Sequence, residues 1–353
     1  MKRMVALVLL LALMLSGCDN PFSGTYSSVR PHAQSSVSNP GREASAADYR
    51  QLCAVLEEIV ASCEEKAVID TGAYDQEVLA DDARRARIYA ETQYPLGVYA
   101  VDWMSVRLGK SDGRSVLTVH VRYIHNRTAI QEIKQVHSEK SASFRIYDAM
   151  EQYASRLALW VKSEEEINYH RIVEEYAWNA PRTVMECPDL TVETYPEDGT
   201  ERIVVLNFDY QTGVDTLRSM RDQVIPVFDR ALATAQKSED PYRALYDFLM
   251  KGYNHHITPS ITPSYSLLKY GVGDSKAFAQ VYAAMCREAG MECLTVHGTK
   301  NGTSHCWNII RVGNVYYHLD LLGGGYVLYS NATLTGYVWD YAAYPVCGAP
   351  IEE

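Results

Sequence analysis

The stretch from Pro241 to about Tyr344 constrains this 353-residue chain most. A helical pattern over Lys276–Ala289 begins behind Asp274-Ser275 and stops at Gly290, as a helix closed by a C-terminal glycine does. Strand patterns follow at Glu292–His297, Cys306–Val312 and Val315–Leu319, separated by turns at Gly298 to Gly302 and Gly313-Asn314. Upstream, Pro241–Tyr253 has helical periodicity with Leu245, Phe248 and Leu249 on one face, and a loop punctuated by Pro259 and Pro263 follows it. One helix succeeded by short strands on tight turns is read as an α+β arrangement.

Three groups of residues in that stretch form a recognisable set. They are Tyr265 through Ala279 with Cys286 to Met291, then Ser304-His305-Cys306-Trp307-Asn308, then Tyr316-Tyr317-His318-Leu319-Asp320. Together with a closing segment, Trp339-Asp340 to Cys347, the set resembles the transglutaminase-like (papain-related) superfamily. The resemblance implies a nucleophile at a helix start, a base on a strand and an acid ending the next strand. Carried over by position, His305 matches the base and Asp320 its orienter, with Trp307 and Asn308 supporting the cleft. The nucleophile position falls on Ser275, where the family has cysteine, and the glycine usual two residues on is Ala277.

That exchange matters physically. A helix N-terminus beside an imidazole lowers a thiol pKa from about 8.5 and stabilises a thiolate. A serine hydroxyl cannot be held as an alkoxide by the same field and needs an aligned base and an oxyanion hole during attack. Neither Cys306 nor Cys286 offers a replacement. Cys306 is expected on the strand face opposite His305, and Cys286 lies eleven residues along the helix, roughly 16 Å from Ser275. His255-His256 has no Asp, Glu or Cys at ligand spacing, and there is no phosphate loop or nucleotide motif, so no metal or cofactor is expected.

The N-terminus reads as an address. Lys2 and Arg3 precede an apolar run from Met4 to Leu15, too short for a bilayer core of ~30 Å. It ends in Leu15-Ser16-Gly17-Cys18, which resembles a bacterial lipobox, with cleavage before Cys18 and lipid attachment to its sulfur. Residues 1–17 are then a signal peptide and 18–45, rich in Ser, Pro and Gly, a flexible stalk. The whole chain has a net charge of −11; without Lys2 and Arg3 it has 31 basic against 44 acidic side chains, a net −13. Such a surface repels nucleic acid; the lipobox reading makes the membrane a partner through the lipid on Cys18, and the transglutaminase-like resemblance implies a peptide, protein or cell-wall ligand. Removing Cys18 from eight cysteines leaves seven, which cannot all pair. Twenty-six Tyr against six Phe suits half-exposed faces, where a ring is buried and its hydroxyl stays wet.

Residues 46–225 read as an N-terminal α+β region containing two copies of a helix–hairpin–helix unit, 83–136 and 170–223, at an offset of 87. Arg84, Tyr89 and Ala90 fall on Arg171, Tyr176 and Ala177, and the strand Ser115–Tyr123 falls on Arg202–Tyr210. Residues 226–353 are assigned to the transglutaminase-like domain. Three functions follow as expectations: a non-catalytic surface binder with a degenerate site, an amide or ester hydrolase or acyltransferase using Ser275-His305-Asp320, or a structural spacer.

Overall fold

The structure, a computed structural model, describes residues 44–255 and 260–349. The signal-peptide and Cys18 readings, the stalk up to residue 43, and His256 of the histidine pair lie outside them; the last two stalk residues, Ala44–Ser45, are instead a short strand beside Lys66–Asp70. Among the described residues no helix is long and apolar enough to cross a membrane.

The first α/β segment begins with helix α1 (Tyr49–Ala61), capped by Asp48, whose side chain accepts from Gln51 N. Leu52, Leu56, Ile59 and Val60 recur at helical spacing and are all buried. Strand β1 (Lys66–Asp70), helices α2 (Leu79–Thr92) and α3 (Pro95–Ala100), and the hairpin β2 (Val101–Ser111) and β3 (Arg114–Tyr123) complete it. The hairpin turns at Asp112-Gly113, both with positive φ, the backbone that a two-residue turn between right-twisted strands demands. β1 and β2 flank β3, both antiparallel to it.

After a short helix α4 (Arg127–Gln131) and strand β4 (Lys134–Val136), the pattern recurs: helix α5 (Glu139–Glu151), strand β5 (Arg156–Lys162), helix α6 (Tyr169–Asn179) and hairpin β6 (Asp189–Tyr195) and β7 (Glu201–Asp209). The strand order is β4-β5-β7-β6, with β4 parallel to β5 and the other pairs antiparallel. Ile203 to Leu206 in β7 are buried without alternation, which marks a strand covered on both faces. Both segments thus run helix, strand, helix, hairpin. The helix–hairpin–helix reading omitted the leading helix and strand of each. The elements after the two hairpins also differ, five residues in α4 against the 22-residue α7 (Val214–Ala235). The segments meet at Tyr99 of α3, a buried ring stacked on His125 at 4.2 Å and edge-on to Tyr195 at 5.7 Å. Arg156 donates to its hydroxyl.

Helix α7 runs through position 225/226, so the boundary placed there falls inside a helix. α8 (Pro241–Gly252), α9 (Pro263–Tyr270) and α10 (Ser275–Glu288) follow, and then strands β8 (Cys293–Lys300), β9 (Thr303–Val312), β10 (Val315–Leu319) and β11 (Tyr337–Trp339). Their order is β10-β9-β8-β11, antiparallel throughout. The chain from Ser45 onward is one compact unit, and all seven described cysteines are free, Cys53 and Cys63 among them.

α10 is the axle of the C-terminal half. Ala277 through Cys286 are all buried, which requires partners on every side of the helix. Phe228 of α7, Leu245 and Leu249 of α8 and Leu267 of α9 share its apolar cluster, as do Tyr153 and Met185 from the N-terminal half. One buried polar side chain interrupts it. Gln280 Nε2 donates to the carbonyls of Ala177, at 3.3 Å, and Trp178, at 3.0 Å, near the C-terminal end of α6, where helical carbonyls lack partners of their own. Gln280→Met keeps the volume and strands both carbonyls. It is expected to cost about 1–3 kcal/mol in urea unfolding. A loss below about 0.5 kcal/mol would mean that apolar packing alone docks α6.

Candidate functional site

The site grows from the start of α10. Gly271, with φ 76°, ends α9, and three residues later the Asp274 side chain accepts from Ala277 N at 2.8 Å. That cap sets Ser275 as the first helical residue, half-buried at the helix N-terminus.

β9 presents the next residues by alternation. Cys306, Asn308 and Ile310 look toward α10: Asn308 Nδ2 donates to Ala279 O at 2.9 Å, and Ile310 joins the α10 cluster. Trp307 and Ile309 pack on the other face with Val296 and Trp339, and His305 shares that face, stacked beside Trp307. Trp307 is fixed at its far end, since its Nε1–H donates to His318 Nδ1 at 3.0 Å. His318 is buried, which pushes its pKa down, and its Nε2 bonds Asn331 Oδ1 at 2.9 Å. As Nδ1 accepts from the indole, Nε2 carries the proton and the ring is neutral. Gly298, opposite His305 on β8, lets β11 approach. A Cβ there would lie 2.2 Å from Val338 O and 2.8 Å from the Trp307 ring.

His305 and Asp320 meet, as the sequence predicts: Nε2 lies 2.9 Å from Asp320 Oδ2. The carboxylate does more than orient the imidazole. Lys300 Nζ and the Tyr337 hydroxyl donate to the same oxygen at 2.7 and 2.6 Å, and Leu322 N donates to Oδ1 at 2.9 Å. Asp320 is 1% exposed. Burial pushes its pKa up, but the bonds from His305, Lys300 and Tyr337 outweigh it and hold the carboxyl well below the usual range. Burial, and then the bond to this carboxylate, push the Tyr337 hydroxyl the other way.

Ser275 touches β9 at the residue after His305. Its Oγ accepts from Cys306 N at 3.2 Å, and among the described residues no hydrogen bond joins it to His305. With Nε2 directed at Asp320, His305 has only Nδ1 for a reacting hydroxyl. Lys300 Nζ and His305 Nε2 share one carboxylate oxygen, at 2.7 and 2.9 Å.

Beside Ser275 lies a group that sequence reasoning missed. Cys306 Sγ is 3.4 Å from His297 Nδ1, its cross-strand neighbour. Burial pushes the thiol up to about 11, while burial and then Lys276 push the imidazole down. The pair is therefore a neutral thiol on a neutral ring, the reverse of a thiolate–imidazolium couple. Trp178, from the C-terminal turn of α6, packs its ring 4.9 Å from that of His297 and takes Lys276 Nζ over its face at 5.3 Å. A residue of the N-terminal half thereby walls one side of the site. Lys300, Tyr337 and Trp178 carry no motif. Gly298, read from the sequence as the start of a turn, lies inside β8, which runs on to Lys300, because it is there that β11 comes close.

Residues 227–321 match the Transglutaminase-like superfamily, so the chain carries a transglutaminase-like domain within its mixed α and β fold. No curated protein sequence matches the chain. Among solved structures it is similar to a TGase at 9% identity, over 58% of this chain and 62% of that one, with a TM-score of 0.27. A structure from Cytophaga hutchinsonii assigned as a cysteine protease is 14% identical over 42% of this chain and 70% of its own, TM-score 0.26. One from Parabacteroides distasonis ATCC 8503 assigned as a protease is 10% identical over 72% and 39%, TM-score 0.24.

The Asp320 cluster predicts a pH signature. Because the folded pKa lies below the unfolded value of about 3.9, its stabilisation is complete above that value and disappears as pH falls toward the folded pKa. Asp320→Asn, which leaves Lys300 and His305 without their anion, is expected to cost about 3–5 kcal/mol at pH 7. Its deficit against wild type should shrink below about pH 4, where the unfolded chain's carboxyl binds a proton that the folded one still excludes. Urea midpoints at pH 7 and about pH 2.5 read this directly, and an equal deficit at both would assign the loss to packing.

Proposed function

We propose that this is a lipid-anchored, extracytoplasmic protein whose transglutaminase-like domain binds peptide, protein or cell-wall material without turning it over. One observation carries the reading: Ser275 stands at the helix-start position where the resemblance expects a thiol, with its Oγ held by Cys306 N and not by His305. Two others support it. Asp320 Oδ2 is shared by His305, the Lys300 ammonium and the Tyr337 hydroxyl, so the imidazole is not the carboxylate's only partner. The thiol nearest Ser275 is neutral and buried. The acyl anchor at Cys18 and the stalk behind it belong to the same proposal and rest on the Leu15-Ser16-Gly17-Cys18 sequence.

A second reading has an observation of its own, the intact 2.9 Å His305–Asp320 pair beside a helix-start hydroxyl. In that reading Ser275 Oγ attacks an amide or ester carbonyl while His305 Nδ1 takes its proton and later returns it to the leaving group.

A serine-directed fluorophosphonate and a thiol-directed iodoacetamide probe, each mapped by mass spectrometry, separate the two. Binding without turnover predicts no fluorophosphonate adduct at Ser275 in wild type. It also predicts that Ser275→Cys is alkylated at position 275 faster than the protein's other thiols, because that sulfur would sit at the helix N-terminus. A Ser275 adduct that disappears in His305→Ala would establish the hydrolase instead.

A further inference from the structure

A groove of about 530 Å³ separates the two α/β segments, and none of its lining residues belongs to the Ser275 site. Its size suits a small ligand or a side chain. One wall comes from the first segment, with Glu57 of α1, Tyr89 of α2 and Tyr94 at the α2–α3 junction. The other comes from the second, with Trp160 and Lys162 of β5, and Asp198 and Glu201 around the β6–β7 turn.

The groove's chemistry is aromatic and anionic. Tyr94 and Trp160 meet edge to face at 6.0 Å and form an apolar floor. Three carboxylates, Glu57, Asp198 and Glu201, surround it against one cation, Lys162. Lys162 shows what the floor accepts: its Nζ lies 4.7 Å over the Trp160 ring and 3.6 Å from Glu201. An ammonium between a π face and a carboxylate gains from both. The other side of the groove has the same materials without a cation. Glu57 accepts the Tyr89 hydroxyl at 2.7 Å on Oε1, and among the described residues neither Glu57 nor Asp198 has an ion-pair partner. An alkyl chain ending in a primary ammonium would bury its methylenes against Tyr94 and Trp160 and place its charge near the unpaired acids.

We propose that this groove is a second binding site, selective for lysine-like ammonium side chains of a cationic peptide. Lys162 is the intramolecular occupant of half of it. The net charge of −11 favours such partners before contact, but the groove adds what bulk charge lacks, a ring floor that rewards the alkyl stem.

Isothermal titration of the full chain with tri-lysine, with its Nε-acetylated form and with chitotriose tests this. Wild type should bind tri-lysine at about 20 mM salt and at least tenfold more weakly at about 200 mM, where the Debye length falls below 10 Å. The acetylated peptide should bind at least tenfold more weakly than tri-lysine at low salt. Glu57→Gln/Asp198→Asn should weaken tri-lysine at least tenfold. A charge-matched control at exposed positions, Asp81→Asn/Asp215→Asn, should change it less than threefold. Lys162→Met, which vacates the Trp160 face and frees Glu201, should tighten binding severalfold. Undetectable tri-lysine binding, equal binding of the acetylated peptide, equal losses in groove and control variants, or preference for the uncharged sugar would each overturn the assignment. If the groove variants fail to fold, the wild-type comparison of charged against acetylated peptide decides alone. None of these measurements depends on whether Ser275 is catalytic.

Discussion

Everything around the candidate site depends on a helix buried on all sides. α10 offers ten consecutive buried residues, and a helix in that position must find both apolar neighbours and a partner for any polar group it carries inward. Gln280 meets the second demand with its Nε2, which donates to carbonyls at the end of α6, while its Oε1 is buried without a hydrogen-bond partner among the described residues. On the opposite flank Asn308 reaches from β9 to Ala279 O, its own Oδ1 likewise left without a partner. The two amides fix the helix against the N-terminal half and against the sheet. The position of Ser275 at the helix start, and of His305 beside it, then follows from geometry already settled elsewhere.

Much of this half was legible in the chain because its signals are local. Asp274 as cap, Gly290 as stop and the glycine turns between strands each act within a few residues of the element they end. The strand Val315–Leu319 is found where periodicity predicts it, and β9 begins only three residues earlier than read, at Thr303. His305 and Asp320 are found together for the same reason: each sits at a fixed place on a strand with a readable pattern. Lys300 and Tyr337 were not legible. They reach Asp320 only because β11 returns to pair with β8, and a three-residue strand has too little periodicity to announce itself. In the N-terminal half, β1 and β5 escaped because the repeat was traced from matching residues, which cover the second helix and hairpin of each segment but not the elements before them.

The Asp320 carboxylate brings the domain's two possible lives into one atom. Its Oδ2 bonds an imidazole, an ammonium and a phenol at once, and so ties β9, β8 and β11 to the end of β10. Gly298 makes that sharing possible, since the strand bearing Tyr337 could not come close past a side chain. The Cys306–His297 pair follows the same pattern, with the chemical types of a reactive couple in an environment that favours their neutral forms.

Helix α7 begins in what the sequence divides off as one region and ends in the next, and its apolar face serves both. A gene fragment starting at residue 226 would open in mid-helix. It would leave behind Leu217 and Val224, and with them Tyr153 and Met185, which fill the same cluster around α10. The catalytic-type fold and its N-terminal companion are therefore not separable cargo. A truncation at residue 226 would expose the apolar side of α10 that those residues cover.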